Sequence, residues 1–331
     1  MMFSVVIPVY NRPAEVDELL NSLAAQTSTN FEVIIVEDGS TVTCRDIVDR
    51  YTDSCSIKYI YKDNEGRSIA RNVGIENSTG DYLVFFDSDC VIPPDYFEKL
   101  SAALENNYVD CYGGPDAAHD TFSNTQKAIN YAMTSFLTTG GIRGGKIQLE
   151  KFVPRTFNTG FSRRVYQHVG GFREMFSEDI DMSTRIKQAG YSIALIRDAY
   201  VYHKRRVDFK KFMRQVYVFG MSRITLKLLY PDSLKIVHTL PAAFLLGSLT
   251  LILLSILVSP WFITPLALYT LLLLVSATVT TRSLKIGLMA VPAAFIQLYG
   301  YGWGFIKAYT QKIIFRRGRN VSYEIEMRRG K

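Results

Sequence analysis

A long apolar segment, residues 236–306, decides which class of protein this chain can be. Its only formal charges are Arg282 and Lys285, although the chain contains 38 Lys and Arg and 31 Asp and Glu residues. A helix needs about 20 apolar residues to cross a hydrocarbon core of about 30 Å, and residues 236–258 and 261–280 are each long enough to do so. The sequence therefore excludes a purely soluble protein.

A third apolar segment, residues 286–306, is less regular than the first two. Pro292, Gln297, Gly300, Gly302 and Gly304 interrupt its apolar run. Three full spans would put the basic tail across the membrane from the N-terminal part, against the preference of Lys and Arg for the cytoplasm. We therefore predict a two-span hairpin within the membrane region 236–306, with a third segment that is re-entrant or interfacial.

The net charge of +7 lies mainly beside the apolar segment. Residues 200–235 and the tail, residues 307–331, are strongly basic, whereas residues 1–199 are acidic overall. Nucleic-acid binding would need a basic surface on the globular part, so we predict a membrane-lipid partner and no nucleic acid. The first residues lack a basic region and reach Pro8 early, which is not typical of a signal peptide. We expect residues 1–205 and the tail on the cytoplasmic side of a bacterial inner membrane.

The first 200 residues alternate between apolar runs and stretches of helical spacing. Strands are predicted at residues 3–9, 31–36, 57–61 and 82–86, and helices at 14–25, 45–51 and 68–76. Strands that are apolar throughout and alternate with helices form mostly parallel sheets covered on both faces. The pattern predicts an α/β domain over residues 1–205.

Polar and acidic residues follow each of the four predicted strands, at residues 10–12, 37–40, 63–66 and 87–89. In sheets of this kind, ligands bind beyond the carboxyl ends of the strands. If the chain stays extended, Asp87 and Asp89 point to the same side, where two carboxylates and a diphosphate could bind Mg²⁺ or Mn²⁺. We predict a metal site there; the alternative is that these residues form ordinary turns.

Arg67 and Arg71 are four residues apart on the third predicted helix. Like charges at this spacing destabilise an isolated helix, and an anion bound near its N-terminus would relieve the repulsion. Two interpretations remain open. Either the arginines contact a phosphate or sugar, or Arg67 pairs with a surface carboxylate such as Glu65.

Taken together, these segments resemble glycosyltransferase family 2. The matching motifs are residues 4–11 (SVVIPVYN), 36–40 (VEDGS), 66–74 (GRSIARNVG), 87–89 (DSD), 158–164 (NTGFSRR), 170–172 (GGF) and 178–181 (EDID). Their order and spacing match as well, over roughly residues 3–225. The resemblance implies a GT-A fold, a Rossmann-like domain that binds a nucleoside diphosphate sugar.

On the donor side, the resemblance implies contacts to the nucleotide and to a metal ion. The nucleotide-binding residues would be Pro8, Tyr10, Asn11, Asp38, Arg67, Arg71, Asp87 and Ser88. Asp38 would bond the base, most often uracil, and Asp87 would lie near the ribose or the metal. Asp89 would coordinate Mg²⁺ or Mn²⁺ on the diphosphate. Similar enzymes often place a further metal-binding histidine where His203 stands, although a histidine beside basic residues also suits a surface.

On the acceptor side, Asp179 would be the catalytic base, with Gly171, Phe172 and Glu178 beside the acceptor. The acceptor hydroxyl must lose a proton when a diphosphate leaves an anomeric carbon, and one carboxylate can accept it. The structural alternative is that acidic residues here complement a helix dipole. The sequence departs from the family pattern at Glu37, usually Asp, and at residues 90–92, where Cys-Val-Ile replaces a small or polar run.

Residues 209–229 interleave apolar and basic side chains, a pattern typical of an amphipathic helix at a membrane surface. Arg214, Gln215 and Arg223 also resemble the motif that follows the catalytic residues in membrane-bound members of the family. We predict an interfacial helix within a basic region, residues 206–235. The alternative is a solvated helix that packs on the domain.

We therefore predict an inverting, metal-dependent hexosyltransferase. It would transfer a sugar, most often UDP-linked in this family, to a membrane-held and lipid-linked glycan acceptor. The alternatives are a polyprenyl-phosphate sugar synthase, a processive polysaccharide synthase or, outside catalysis, a nucleotide-sugar-binding subunit of an envelope export complex. Glycines and basic residues at positions 140–151 suggest a mobile loop that orders on a phosphate.

Overall fold

The computed structural model describes residues 1–117, 122–140, 152–204 and 208–318. The chain forms two compact units, Met1–His119 with Phe152–Lys204 and Asp120–Lys151 with Arg205–Gly330. All but the first residue of the glycine-rich basic loop predicted at residues 140–151 lies outside the described residues, as does the end of the tail.

The strands belong to the first unit. They are β1 (Phe3–Val9), β2 (Phe31–Asp38), β3 (Ile57–Lys62), β4 (Tyr82–Phe86), β5 (Cys90–Val91), β6 (Cys111–Gly113), β7 (Asp116–Ala117), β8 (Asn158–Ser162), β9 (Ile193–Leu195) and β10 (Val201–His203). In chain order, the helices are α1 (Pro13–Ala24), α2 (Arg45–Asp49), α3 (Arg67–Glu76), α4 (Tyr96–Asn106), α5 (Asn124–Thr134), α6 (Phe136–Thr139), α7 (Arg163–Val169), α8 (Glu178–Gln188), α9 (Phe209–Leu229), α10 (Leu240–Leu257), α11 (Thr264–Thr281) and α12 (Leu284–Tyr309). Short 3₁₀ turns lie at Pro231–Ser233, Ile236–His238 and Pro260–Ile263, and a π-helical turn lies at Thr310–Ile314.

A seven-stranded sheet organises the first unit, in the order β3-β2-β1-β4-β8-β6-β9. β3, β2, β1 and β4 run parallel, β8 is antiparallel to both of its neighbours, and β6 and β9 are again parallel. Consecutive residues of β4 are buried because both faces of the sheet are covered, as the unbroken apolar runs predicted. The predicted α/β fold with a mostly parallel sheet is confirmed.

The strand register brings several loops to one edge of this sheet. Val9 at the end of β1 pairs with Glu37 of β2, and Asp38 pairs with Lys62 of β3. β2 therefore continues two residues past its predicted end, because pairing with β3 keeps Glu37 and Asp38 in the strand. The loops that follow β1 to β4 emerge where ligands bind in such sheets.

A second sheet, β5-β10-β7, adds a late part of the chain to the same unit. In the antiparallel pair of β5 and β10, His203 lies opposite Cys90. This register brings His203 next to the segment that carries Asp89, although the two residues are far apart in sequence.

Aromatic side chains fill the two faces of the main sheet. On one face, Phe31 stacks on Phe97 with ring centroids 4.4 Å apart. On the other, Phe85 packs edge-to-face against Phe172 at 5.1 Å. The loop that contains Phe172 is thereby held against the core, which restricts where its neighbours can move.

Three apolar helical segments of the second unit are long enough to cross a membrane: Leu240–Leu257, Pro260–Thr281 and Leu284–Ile314. Only 17% and 11% of the apolar stretches in the first two are buried inside the protein, against 44% in the third. The third contains α12, which continues through Pro292 without a break. The exposed apolar surface of the first two helices indicates a membrane-associated unit.

α9 packs closely along α12 within the second unit. A Cβ atom on Gly220 would lie 2.1 Å from the carbonyl oxygen of Tyr301, and one on Gly304 would lie 2.1 Å from that of Tyr217. Glycine at these two positions lets the backbones approach each other. The basic side chains Lys210, Lys211 and Arg214 of α9 are exposed.

Residues 122–140 also pack with the apolar helices. α5 contributes Ala128, Ile129 and Ala132 to an apolar cluster with α11 and α12, and Tyr269 Oη donates a hydrogen bond to the carbonyl oxygen of Leu137 at 2.8 Å. The sequence placed this segment in a catalytic domain of residues 1–205. The apolar face of α5 instead groups Asp120–Lys151 with the second unit.

Candidate active site

The chain turns after β4, at Ser88 and Asp89. The N–H of Cys90 donates to the carbonyl oxygen of Asp87 at 3.1 Å and closes the turn, and Ser88 is buried within it. The chain is therefore not extended here, which was the condition under which Asp87 and Asp89 would point to the same side of a strand. Strand alternation therefore does not orient the two carboxylates.

The two carboxylates of this turn have different partners. Asp87 Oδ1 accepts a hydrogen bond from Arg71 Nη2 at 2.7 Å. Asp89 Oδ2 accepts one from Arg12 Nη1 at 2.6 Å, and Asp89 Oδ1 lies 3.2 Å from His203 Nε2. Burial alone raises the pKa of Asp89, but His203 and Arg12 outweigh burial and hold it below its usual range. Asp89 is therefore an anion at neutral pH.

Asp89, Cys90 and His203 form a group that could hold a metal ion, with ligand atoms within 4.8 Å of one another. Nδ1 of His203 is buried and has no hydrogen-bond partner among the described residues. A carboxylate and an imidazole suit Mn²⁺, whereas burial raises the pKa of the Cys90 thiol well above its usual value and makes it a poor ligand for a hard ion. The predicted ligands Asp89 and His203 thus fit a divalent cation, while Asp87 lies outside the group.

Asp38 closes the loop that leads into α3. Its Oδ1 accepts hydrogen bonds from Lys62 Nζ at 2.9 Å and from the N–H of Glu65 at 3.0 Å, and its Oδ2 accepts one from the N–H of Gly66 at 2.8 Å. Gly66 has a φ of +100°, which favours glycine, and it precedes the first turn of α3. Asp38 therefore fixes where α3 begins; its contact with a base stays a prediction.

The loop after β1 is held by Asn11. Its Oδ1 accepts hydrogen bonds from the N–H groups of Thr41 and Val42 at 2.8 and 3.1 Å, and its own N–H donates to Ser40 Oγ at 2.8 Å. Pro8 lies in β1, and Tyr10 is exposed at the edge of the sheet. Of these predicted donor contacts, Tyr10 and Asn11 are exposed and Pro8 is half-buried.

Glu37, where the sequence departs from the family pattern, is fully buried. Its Oε2 accepts hydrogen bonds from the N–H of Cys44 at 2.9 Å and from Tyr59 Oη at 2.7 Å. Burial raises the pKa of Tyr59, and the carboxylate of Glu37 raises it further. Glu37 therefore holds together β2, β3 and the start of α2 from inside the protein.

Arg67 and Arg71 share one carboxylate, Glu178, which we predicted beside the acceptor and not as a partner of these arginines. Arg67 contacts Glu178 through Nε and Nη2, both at 2.7 Å, and Arg71 Nη1 donates to Glu178 Oε1 at 3.0 Å. The surface alternative Glu65 pairs with Lys62 instead, at 2.8 Å. The repulsion between the two arginines is thus relieved by an anion of the chain itself.

Asn72, one residue further along α3, binds the loop before α8. Asn72 Nδ2 donates to the carbonyl oxygen of Phe172, and the N–H of Phe172 donates to Asn72 Oδ1, both at 2.8 Å. A Cβ atom on Gly171 would lie 2.4 Å from Asn72 Oδ1, so this contact requires glycine. Gly171 and Phe172 are therefore positioned by α3.

The first turn of α8 carries three carboxylates with different surroundings. The side chains of Glu178 and Asp181 are 1% and 0% exposed, and each contacts two arginines, Asp181 through Arg173 at 3.2 Å and Arg185 at 2.9 Å. The Asp179 side chain is 17% exposed and contacts one arginine among the described residues, Arg155, at 3.2 Å. Asp179 is thus the most accessible of the three.

Burial alone raises the pKa of Asp179, but other groups outweigh it. The charge and hydrogen bond of Arg155, a hydrogen bond from the N–H of Ile180 and the charge of Arg67 together hold this pKa below its usual value. Asp179 also borders a small cavity with Thr156, Thr159 and Phe172.

The predicted interface residues Arg214, Gln215 and Arg223 all lie on α9. Arg214 is exposed, and Gln215 and Arg223 are half-buried. They belong to the second unit, whereas Asp87, Asp89 and Asp179 belong to the first.

Sequence reasoning missed the roles of Arg12, Asn72 and Arg155. Asn72 lies inside a motif that carries the family resemblance and Arg12 directly follows another, which was a usable signal. Arg155 stands three residues before a motif, and nothing in its local sequence marks it. Its partner Asp179 is 24 positions away, a pairing that only the fold reveals.

Comparison with known proteins agrees with this architecture. Residues 4–170 match the model of Glycosyl transferase family 2, which is half of the chain. An uncharacterized glycosyltransferase of Rickettsia conorii is 43% identical over 111 residues, 32% of this chain, and that stretch is 18% of the relative's length. Glycosyltransferase AglE of Haloferax volcanii is 27% identical over 74% of this chain and 81% of its own length.

A solved structure shares the fold. The mannosyltransferase PcManGT of Pyrobaculum calidifontis, in complex with GDP-Man and Mn²⁺, superposes with a TM-score of 0.56 at 16% identity, over 92% of this chain and 86% of that one. The main sheet, the order of motifs and these matches agree with one another. The chain belongs to glycosyltransferase family 2 and has the GT-A fold.

Proposed function

We propose that this chain is an inverting glycosyltransferase that uses a UDP-linked hexose and a lipid-linked glycan acceptor at a membrane. The observation that carries the proposal is the position of Arg71, which is 1% exposed. Its guanidinium bonds Asp87 on the donor side and Glu178, the neighbour of Asp179, on the acceptor side. Arg71 thus connects the proposed donor side with the proposed acceptor side, and a transfer reaction needs donor and acceptor next to each other.

On the donor side, the sugar diphosphate would lie at the edge of the sheet near Asp89 and His203. Mg²⁺ or Mn²⁺, held by these two residues, would stabilise the negative charge that develops on the departing diphosphate. Arg12 and Arg67 are partly exposed and would contact phosphate oxygens. PcManGT, which shares the fold, is described with GDP-Man and Mn²⁺, and this supports a nucleotide donor of the same class.

On the acceptor side, Asp179 would act as the base. The acceptor oxygen forms a bond to the anomeric carbon while the bond from that carbon to the diphosphate oxygen breaks. The electron pair leaves with the nucleoside diphosphate, and the hydroxyl proton passes to Asp179. A single displacement of this kind inverts the configuration at carbon. Asp179 suits the role better than Glu178 or Asp181, because each of those is fully buried between two arginines.

A membrane-held acceptor suits the apolar second unit, because an anchor raises the local concentration of enzyme at a lipid-linked substrate. We propose that α10 and α11 form a two-span hairpin and that α12 is re-entrant or interfacial. The close packing of α12 on α9 supports this, since the exposed Lys210, Lys211 and Arg214 of α9 would be costly in hydrocarbon. The rest of the chain would then lie on the cytoplasmic side.

Sugar transfer by purified protein in detergent tests the proposed function. Nucleotide sugars are supplied with Mn²⁺ or Mg²⁺ and a lipid extract, and both diphosphate release and labelled lipid product are measured. We expect acceptor-dependent release that falls at least 100-fold in Asp179→Asn while donor binding persists. Full turnover in Asp179→Asn would overturn the proposal. So would the absence of transfer from every nucleotide sugar supplied.

A further inference from the structure

Arg155 is the described arginine partner of Asp179, and it comes from outside α8. Arg155 Nη1 donates to Asp179 Oδ2 at 3.2 Å, whereas Asp179 Oδ1 accepts from the N–H of Ile180 in its own helix. Each carboxylate oxygen can accept two hydrogen bonds. Oδ2 can therefore accept a second hydrogen bond. Because Arg155 occupies one of its two lone-pair directions, that second bond must come from the other direction.

The backbone of Arg155 is fixed to a rigid part of the sheet. The N–H of Asn158 donates to the carbonyl oxygen of Arg155 at 3.0 Å, and the two residues form an isolated bridge. Asn158 is fully buried at the start of β8, where Tyr96 Oη donates to its Oδ1 at 2.6 Å. The core thus fixes the point from which the Arg155 side chain extends, and its guanidinium reaches Asp179 from the β8 side.

The charges around Asp179 are otherwise balanced. From α3, Arg67 and Arg71 face this turn, and both are bonded to Glu178. From α8 itself, Asp181 is bonded to Arg173 and Arg185. The strand β6 contributes Cys111 to the cavity beside Asp179. Arg155 is thus the positive charge that directly compensates Asp179.

We propose that Arg155 is the positioning residue for the catalytic base: it turns Asp179 Oδ2 toward the acceptor hydroxyl and keeps the carboxylate ionised. This inference rests on the proposed role of Asp179. During transfer, Asp179 takes the acceptor proton while Arg155 keeps its own charge and its hydrogen bond. Arg155 therefore contacts the base and not the reacting atoms.

The sign of the effect follows from electrostatics. Removing the positive charge leaves burial as the main influence on Asp179, so the pKa of this carboxyl rises. A carboxylate that is protonated at a higher pH cannot accept the acceptor proton there. The acid limb of kcat/KM for the acceptor, which reports the free enzyme, should move to higher pH in Arg155→Gln.

The experiment compares full-length Arg155→Gln and Arg155→Lys in detergent over a pH range that begins about one unit below the ordinary aspartate pKa of about 4, because the pKa of Asp179 lies below that value. We expect the acid limb of Arg155→Gln to rise by about one pH unit or more, because an opposite charge at this distance shifts a carboxyl by about that amount. Arg155→Lys should keep the limb of the unmodified protein. Arg173→Gln is the matched control, because Arg173 contacts Asp181 and should leave the limb in place.

A second measurement needs no turnover. A water-soluble carbodiimide labels protonated carboxyl groups, and the labelled Asp179 peptide is quantified by mass spectrometry as a function of pH. We expect half-maximal labelling of Asp179 at a higher pH in Arg155→Gln than in Arg155→Lys. An unchanged acid limb, or unchanged labelling where Arg155→Gln is inactive, would overturn the role of Arg155 even if Asp179→Asn is inactive. Full activity of Asp179→Asn would instead remove the proposed function.

Discussion

Asn72 and Phe172 exchange two hydrogen bonds across 100 positions of sequence, through the side-chain amide of Asn72 and the backbone N–H and carbonyl of Phe172. The side-chain amide of Asn72 thus pairs with the backbone of Phe172 as a neighbouring strand would, with one donated and one accepted hydrogen bond. It fastens α3, which carries Arg67 and Arg71, to the loop that precedes α8. Both hydrogen bonds are lost together when the amide is removed.

Replacing this amide should loosen the loop before α8. We expect Asn72→Ala to lower the free energy of unfolding by about 2 kcal/mol, because Phe172 is buried and its backbone groups lose their partner. Turnover should fall at least tenfold, since Asp179 follows in the next helix. Thermal denaturation in detergent and diphosphate release measure the two effects.

Asn77→Ala is the matched control for Asn72→Ala. Asn77 follows α3 directly, and its Nδ2 donates to the carbonyl oxygen of Val73 at 2.9 Å, a local bond within the same helix. We expect a small change in stability and unchanged turnover. Equal losses in the two variants would contradict the role given to Asn72.

Arg71 should not tolerate even a conservative change. Its two carboxylate partners accept from different nitrogen atoms of one planar guanidinium, which a lysine ammonium cannot reproduce. We expect Arg71→Lys to cost about 3 kcal/mol of stability, because the buried contact with Glu178 and the half-buried contact with Asp87 are broken or distorted. Thermal denaturation in detergent measures the loss.

The control for Arg71 is Arg50→Lys. Arg50 contacts Asp17 at 3.0 Å on the surface, with 60% of its side chain exposed. Exposed pairs of this kind contribute at most about 1 kcal/mol. A similar shift in melting temperature for both variants would show that Arg71 is not the link between the donor and acceptor sides.

The candidate cation site at Asp89 and His203 can be tested without measuring turnover. We expect Mn²⁺, titrated against the full-length protein and followed by electron paramagnetic resonance, to bind at least tenfold more weakly in Asp89→Asn and in His203→Asn. Cys90→Ala should change the affinity less than twofold, because a protonated thiol is a poor ligand for this ion.

A second histidine of the same unit provides the matched control. His168 lies on α7, where its Nδ1 contacts Tyr191 Oη at 3.0 Å. His168→Asn should therefore leave Mn²⁺ binding unchanged. If Cys90→Ala weakens binding as much as Asp89→Asn does, the site is thiol-based and the expected metal is a softer one.

Much of the first unit could be predicted from the sequence because its information is local. Consecutive apolar residues mark β1 and β4, and the helical spacing between them marks α1 and α3 within a few residues. The turn at Ser88 and Asp89 could not be predicted in the same way. Two aspartates separated by one residue suit both a strand and a turn, and the choice is made by a single backbone hydrogen bond.

The contacts that organise the candidate site are non-local, and this is why the sequence did not reveal them. Arg67 finds its partner 111 positions away, at Glu178, and not at the nearby Glu65. The apolar face of α5 likewise has no visible partner until α11 and α12 are folded beside it. The family resemblance supplied candidate site residues, Arg67 and Arg71 among them. It did not supply the pairing of these arginines with Glu178 or of Arg155 with Asp179.

The packing of α9 on α12 should depend on Gly220. A methyl group at this position would lie 2.1 Å from the carbonyl oxygen of Tyr301, in a contact between two backbones that cannot give way by a side-chain rotation. We expect Gly220→Ala to lower the free energy of unfolding by about 2 kcal/mol, as overpacking does in well-packed cores. Gly247→Ala on α10 is the matched control, because a methyl group there meets nothing within 4 Å and alanine favours a helix. Thermal denaturation in detergent should therefore separate the two variants in opposite directions, and a similar loss in both would show that α9 and α12 are not held together at this glycine.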